Sequence, residues 1–455
     1  MSSTTSLATK TKGADGDLLQ SAVALRDQLQ CGELSARDLA ERYIARIEAR
    51  ESDVRAWAWF DAEFVRTEAL RLDALKASGA PLGPLHGLPV GLKDVIDTKD
   101  MPSENGCRLD IGRRPEHDAA LVKRLRAAGA IIMGKTVTTE LAYFVPGATR
   151  NPHNLEHTPG GSSSGSAAAV ADGMVPLAIG TQTGGSVIRP GSFCGIVGYK
   201  PTFGAIPRSG VLNQSQTLDT MGVFAADAEG ALMLAEVLFG PDAGDAASLS
   251  SPVSDNVAAD LIGASPRFAY IEPPFWGDVD ADYAEALRGF AREHGEVVQF
   301  VDLPDVFQSA EKNRRAVNFA EMASNFQRYL DIDPAGLGDM TRDAMEEGRL
   351  VSAFDYLSSV ACRLELNDAL APIFAEFDAI LCPAALGPAP RGLASTGNSI
   401  MNGLWTMAGT PAITLPLLTS PQGLPLGVQL VGKFGRDAQL LKAARWVYDR
   451  AALQE

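Results

Sequence analysis

Apolar residues recur at steps of three and four along residues 18–77, in SAVALRDQLQ and then SARDLAERYIARIEAR. That spacing puts them on one side of a 3.6-residue helix, so the pattern predicts an amphipathic helical start. Ser35 is the expected N-cap of the second helix, because its hydroxyl can accept from a free N–H of the first turn. At Pro81 the pattern breaks. Pro and Gly in PLGPLHGLPVGLKDVID bracket a short apolar run, residues 88–92, that reads as a buried strand. Beyond it the two periodicities alternate: helix over 119–128, strand over 130–133, helix over 164–171, strand over 175–179. Alternation of this kind predicts an α/β fold, a sheet with helices on its faces.

Residues 240–377 have a looser texture. A loop rich in Pro, Asp and Ser over 241–256 precedes long helical stretches at 305–329 and 341–376, which predicts an inserted cap or specificity region. Strands return in DAILCPAALGPAP and GTPAITLPLLTSPQGLPLGVQLVG, and a helix over 437–451 follows. With no internal repeat and no linker, one large domain is expected. Its parts are a disordered tail (1–17), a helical part (18–80), a core (81–240), a variable cap (241–377) and a return to the core (378–455).

Composition narrows the class. At 455 residues with 46% hydrophobic and 21% charged residues, the chain can bury a large core. The net charge of -16 speaks against a grip on phosphate backbones, which takes clustered Lys and Arg, so no nucleic-acid partner is expected. The five cysteines (Cys31, Cys107, Cys194, Cys362, Cys382) stand singly, without the close pairs of zinc sites, and read as reduced thiols. Neither metal nor cofactor is expected. The polar start MSSTTSLATKTKGADGD has no apolar stretch, and no window approaches membrane-spanning length, so a cytoplasmic protein is expected.

Three short motifs match catalytic patterns and fail on context. Residues 129–136, GAIIMGKT, fit the phosphate-binding loop G-x-x-x-x-G-K-[ST], but the variable positions are themselves an apolar strand. Residues 161–165, GSSSG, fit the nucleophile elbow, yet no strand pattern precedes them, and His294, the one later histidine, lies in a charged helical run. Residues 309–312 and 254–256 match penicillin-binding signatures in the wrong order.

A serine hydroxyl is a weak nucleophile and needs a base. None of the five histidines (His86, His117, His153, His157, His294) has the spacing of a known triad. A lysine can serve if burial makes it neutral, and moving its pKa from about 10.4 to near 7 takes on the order of 4–5 kcal/mol of desolvation. Lys93, directly after GLPVGL, is the lysine whose sequence context supplies that burial.

GLPVGLKD around Lys93, GGSSSGSAAAVADG, and GTQTGGSVIRP followed by FCGIVGYKPTFG together resemble the amidase signature family of hydrolases. The resemblance extends through GPLHGLP, LVKRLRAAGAIIMGKT, TLDTMGVFAAD, GTPAITLP and GLPLGVQLVG, leaving out residues 240–377. It implies a central mixed twisted β-sheet covered by α-helices on both faces, with a helical insertion. It implies a Ser-Ser-Lys unit with Ser186 as nucleophile, Ser162 as bridging serine after a cis Gly161–Ser162 bond, and Lys93 as base. It also implies an oxyanion hole from the N–H groups of Thr183, Gly184, Gly185 and Ser186.

Two positions depart from the family pattern: Gln182 stands where most members carry Asp, and Arg189 lies three places after Ser186 instead of two. The shifted GGSVIRP resembles the malonamidase branch, which makes Arg189 either a carboxylate anchor or a tie for nearby backbone. Tyr143, Phe144 and Trp405 are expected to line a pocket, with Arg208 at its mouth. The resulting expectation is a serine amidohydrolase, monomeric or homodimeric, that cleaves small amides or carbamates. The alternative within the family is the glutamine-hydrolysing component of an amidotransferase that acts on charged tRNA.

Overall fold

The computed structural model describes residues 20–249 and 265–452. The expected tail (1–17) and part of the expected loop (250–256) lie outside the described residues. Among the described residues eleven strands form one mixed sheet: β1 (Trp57–Phe60), β2 (Pro89–Lys93), β3 (Ile131–Thr136), β4 (Leu177–Gln182), β5 (Val197–Lys200), β6 (Thr220–Ala225), β7 (Phe268–Tyr270), β8 (Val298–Phe300), β9 (Ala379–Pro383), β10 (Ala412–Thr419) and β11 (Pro425–Val431). Their order across the sheet is β1-β3-β2-β4-β6-β5-β10-β11-β9-β7-β8. Strands β3, β2 and β4 pair in parallel, the strands from β4 to β9 pair antiparallel, and β9, β7 and β8 pair in parallel again. Helices flank the sheet, as the alternation of periods predicts.

The parallel trio β3-β2-β4 is buried at every position, which is why its sequences read as unbroken apolar runs rather than alternating ones. Ser35 caps its helix as expected, accepting from the Asp38 N–H at 3.0 Å. Gly165, in the helix Ser164–Ala171, lets that helix touch the sheet edge: a Cβ there would overlap the Ala56 carbonyl oxygen and the Val137 nitrogen. The glycine-serine run is therefore a buried helix and its approach, every residue from Ser162 to Val170 being enclosed.

Three elements differ from the sequence reading. The helical start is interrupted by β1, whose WAWF is too short and too evenly apolar to break a helical pattern. The region 240–377 is not only a helical insertion. Strands β7 and β8, with the helix Ala281–Glu293, continue the sheet past β9. The long stretch 341–376 is three helices, Asp339–Arg349, Ala353–Leu370 and Ile373–Glu376, because Ser352 starts a new helix as its N-cap and Pro372 opens the last. Residues 129–136 form β3 and the turn before it, so the phosphate-loop pattern has no loop to act through. No helix among the described residues is long and apolar enough to cross a membrane.

Candidate active site

Lys93 ends β2, at the centre of the parallel trio, with no solvent exposure. Its Nζ donates to Ser162 Oγ and to Thr181 Oγ1, both at 2.7 Å. Burial pulls its pKa down to about 7, a fall that the Asp219 carboxylate nearby partly opposes. The Gly161–Ser162 peptide bond is cis. Each remaining serine of the run has another partner. Ser163 Oγ bonds the backbone of Thr181 at 3.2 Å, Ser164 donates to the Gly160 carbonyl at 2.9 Å, and Ser166 donates to the Ile179 carbonyl at 3.0 Å.

Lys93 is not the sole buried lysine. Lys135 and Lys200 are equally enclosed, with pKa values lowered by burial to about 8 and about 7. What faces the nitrogen separates the three. Lys135 donates to the Ile96 carbonyl as well as to Ser103 Oγ (2.7 Å) and Thr98 Oγ1 (3.4 Å), and Lys200 donates to the carbonyls of Pro201 and Thr410; a carbonyl oxygen can only accept, which favours the ammonium in both. Lys93 meets hydroxyls alone, and these can also donate to a neutral amine.

Ser186 is half-buried in the wall of a small cavity that is also lined by Tyr143, Phe144, Thr183, Gly184, Gly185 and Arg189. Gln182 shapes this turn: its side-chain oxygen accepts from the N–H groups of Val187 (2.8 Å) and Ile188 (3.1 Å), and its amide donates to Thr406 Oγ1 at 3.0 Å. A carboxylate could accept the first two bonds but not donate the third. Thr183 Oγ1 donates to Asp219 at 2.6 Å, and a Cβ at Gly185 would overlap Asn402 Oδ1, so the turn is held from both sides. Asp219 is itself pushed up to about 6 by burial.

Arg189 does two things. Its Nη2 donates to the Gly161 carbonyl at 2.7 Å and to Thr396 Oγ1 at 3.2 Å, which ties down the backbone beside Ser162. Among the described residues its Nε and Nη1 are buried without a partner and no carboxylate pairs with it, and its guanidinium stands 5.7 Å from the Phe144 ring centre. Burial, with Arg314 nearby, lowers its pKa to about 9.

Two expected pocket residues are elsewhere. Trp405 is fully buried against Phe307 in the core, because its helix, Ile400–Ala408, is enclosed from Met401 onward. Arg208 makes a bidentate ion pair with Asp245 (2.8 and 3.0 Å) and lies over the Phe203 ring, away from the cavity wall. Gln214, Arg314, Asn318 and Ser399 also line the cavity, and the sequence reading did not find them. Arg314 pairs with Glu311 one turn back, a spacing that in sequence reads as a solvated helix surface. Only the enclosure of that surface by the rest of the fold turns the pair inward.

The family whose sequence profile matches, over residues 38–441, is described as Amidase. A glutamyl-tRNA(Gln) amidotransferase subunit from Synechococcus sp. (strain CC9902) is 32% identical over 476 residues, covering 94% of this chain and 96% of the relative. Among solved structures, a vestigial protein complex bearing on the origins of an s-triazine catabolic enzyme superposes with a TM-score of 0.86. It is 28% identical and covers 95% of this chain and 98% of that one. The corresponding glutamyl-tRNA(Gln) amidotransferase subunit from Thermotoga maritima superposes with a TM-score of 0.76 at 27% identity, covering 95% of each. These relatives overturn the expected set of partners, a monomer or homodimer with a small amide or carbamate as its sole partner and no nucleic acid, since the curated relative is named as one subunit of a tRNA amidotransferase. The acidic balance misled because one chain's net charge reports only on what that chain grips, not on what an assembly containing it handles.

Proposed function

The chain belongs to the amidase family, and from that premise we propose that it hydrolyses the side-chain carboxamide of glutamine as the ammonia-releasing subunit of an amidotransferase. The observation that carries the choice of substrate is Arg189, a buried guanidinium with two unpaired nitrogens in the same wall as Ser186. A buried cation of this kind is complementary to a carboxylate, and glutamine carries a carboxylate and a primary amide in one small molecule. The curated relative's name supports the same substrate.

In this reading Ser186 Oγ attacks the amide carbon while its proton passes through Ser162 to neutral Lys93. The N–H groups of the turn from Thr183 to Ser186 stabilise the oxyanion. Collapse breaks the C–N bond, and the relay runs backwards to protonate the departing nitrogen, so ammonia leaves and an acyl ester remains on Ser186. Water then attacks that ester by the same route, which gives glutamate and restores the hydroxyl.

Ammonia release from glutamine, malonamate, succinamate, an aryl amide and an aryl carbamate tests this. Glutamine turnover is expected, with kcat/KM lowered roughly 10³-fold or more in Ser186→Ala together with loss of fluorophosphonate labelling. Turnover of only the neutral aryl amide or carbamate would overturn the reading. Turnover of another acid amide with glutamine untouched would keep Arg189 as the anchor and replace the substrate.

A further inference from the structure

The helix Ala353–Leu370 packs inward through Ser359, Cys362, Leu366 and Leu370. On its other side Phe354 (79% exposed), Leu357 (65%) and Leu364 (72%) stand in solvent, with Leu350 (85%) just before the helix. Ala361 is exposed between them. Within the helix the steps from 354 to 357, 361 and 364 run three, four and three, the a/d spacing with which one helix receives knobs from another. Single exposed apolar residues are ordinary, but an aligned row of large ones marks a contact surface.

The exposed charges of this helix have one sign. Asp355, Glu365 and Asp368 are exposed, while the helix's one cation, Arg363, is turned into the body, where it donates to the carbonyls of Met407 and Thr217 and lies over Phe203. Arg349, at the end of the preceding helix, is directed to Gln327. Pairing with a second copy would set carboxylates against carboxylates across the seam. The geometry points to a docking surface for an amphipathic helix of a different polypeptide, one with apolar residues at a/d spacing and Lys or Arg beside them. This surface deepens the subunit part of the proposed function and rests on it.

The probes are two synthetic helical peptides with Leu at the a and d positions, one flanked by Lys and the other by Glu. Each is titrated by fluorescence anisotropy against the full chain and against the double variant Leu357→Glu/Leu364→Glu, whose positions are exposed and outside the active site. The Lys-flanked peptide is expected to bind the unaltered chain about tenfold or more tighter than the Glu-flanked one, and to lose about tenfold or more in the variant. Absent binding, equal binding of the two peptides, or binding unchanged in the variant would overturn the surface. So would a wild-type dimer by light scattering that the variant dissociates, since a second copy would then be the occupant. Glutamine turnover measured on both proteins without peptide separates the two ideas: its absence from both counts against the substrate, whereas the peptide titration alone decides the surface.

Discussion

Three lysines lie buried among the described residues, and burial alone does not say which can act as a base. Lys93 differs from Lys135 and Lys200 by facing hydroxyls alone, whereas each of the other two also donates to a backbone carbonyl, a distinction of hydrogen-bond chemistry that no sequence pattern carries. With a folded pKa of about 7 against an ordinary 10.5, its neutral form predominates above pH 7. kcat/KM should therefore rise with pH to a plateau above about 7, and a profile flat from about 6 to 8 would remove Lys93 from the mechanism. The same shift opposes folding. Between pH 7 and 10.5 the unfolded chain binds more protons, so this group's contribution to stability rises with pH across that window, and below 7 the whole penalty remains. Lys93→Met should accordingly abolish activity while raising the melting temperature at pH 7. The rise is roughly 1–3 °C, because the hydrogen bonds lost at Ser162 and Thr181 offset part of the gain. Calorimetry of the variant at about pH 7 and about pH 10 checks the sign, since the advantage should shrink at the higher pH. Ser162, the serine in contact with Lys93, stands at the position that the family resemblance assigns to the bridging serine. Arg314 was not legible in the sequence, because a Glu and an Arg three apart in a helical pattern look the same on a wet surface and in an enclosed one.

At the level of elements, the glycine-serine run opens the helix Ser164–Ala171 that the sequence predicts, held by small residues against the sheet. Its apolar character is nearly even all round, as in any helix enclosed on every side. Gly165→Ala tests the packing: the added methyl would press on the backbone of Ala56 and Val137, which cannot yield as a side-chain tip can. A stability loss of about 1–3 kcal/mol is expected, read as a lowered denaturation midpoint with an unchanged slope. An unaltered midpoint would mean that the helix sits further from β1 and β3 than described. The elements that the sequence concealed share one property, shortness. Strands β1, β7 and β8 have four, three and three residues, and such runs are set by their neighbours in the sheet, not by their own period.

For the molecule as a whole, the cavity draws on segments far apart in the chain: residues 142–144, 183–186 with Arg189, Gln214, Arg314 with Asn318, and Ser399. A ligand that fills it should therefore stabilise the global fold. Glutamate at about 100 times its Kd is expected to add about 2.7 kcal/mol, roughly 3 °C for a chain of this length. The thermal shift should vanish in Arg189→Met, and a shift that persists there would place the anion elsewhere. The sheet's central strands were readable because they sit in continuous motifs, and the proposed Ser-Ser-Lys unit comes from those same motifs, whereas the cavity's outer wall depends on how distant segments meet. That wall includes Arg314 and Asn318, from the helix Ala310–Asn325, inside the stretch over which the family resemblance lapses. Glu140 fastens the opposite side, the loop that carries Tyr143 and Phe144, to Gly338 and Thr341 of that same stretch. In evolutionary terms, a lineage could reshape the room around its substrate by rewriting residues 310–345, whereas a change in the charge it recognises would have to reach Arg189, in the same turn as Ser186.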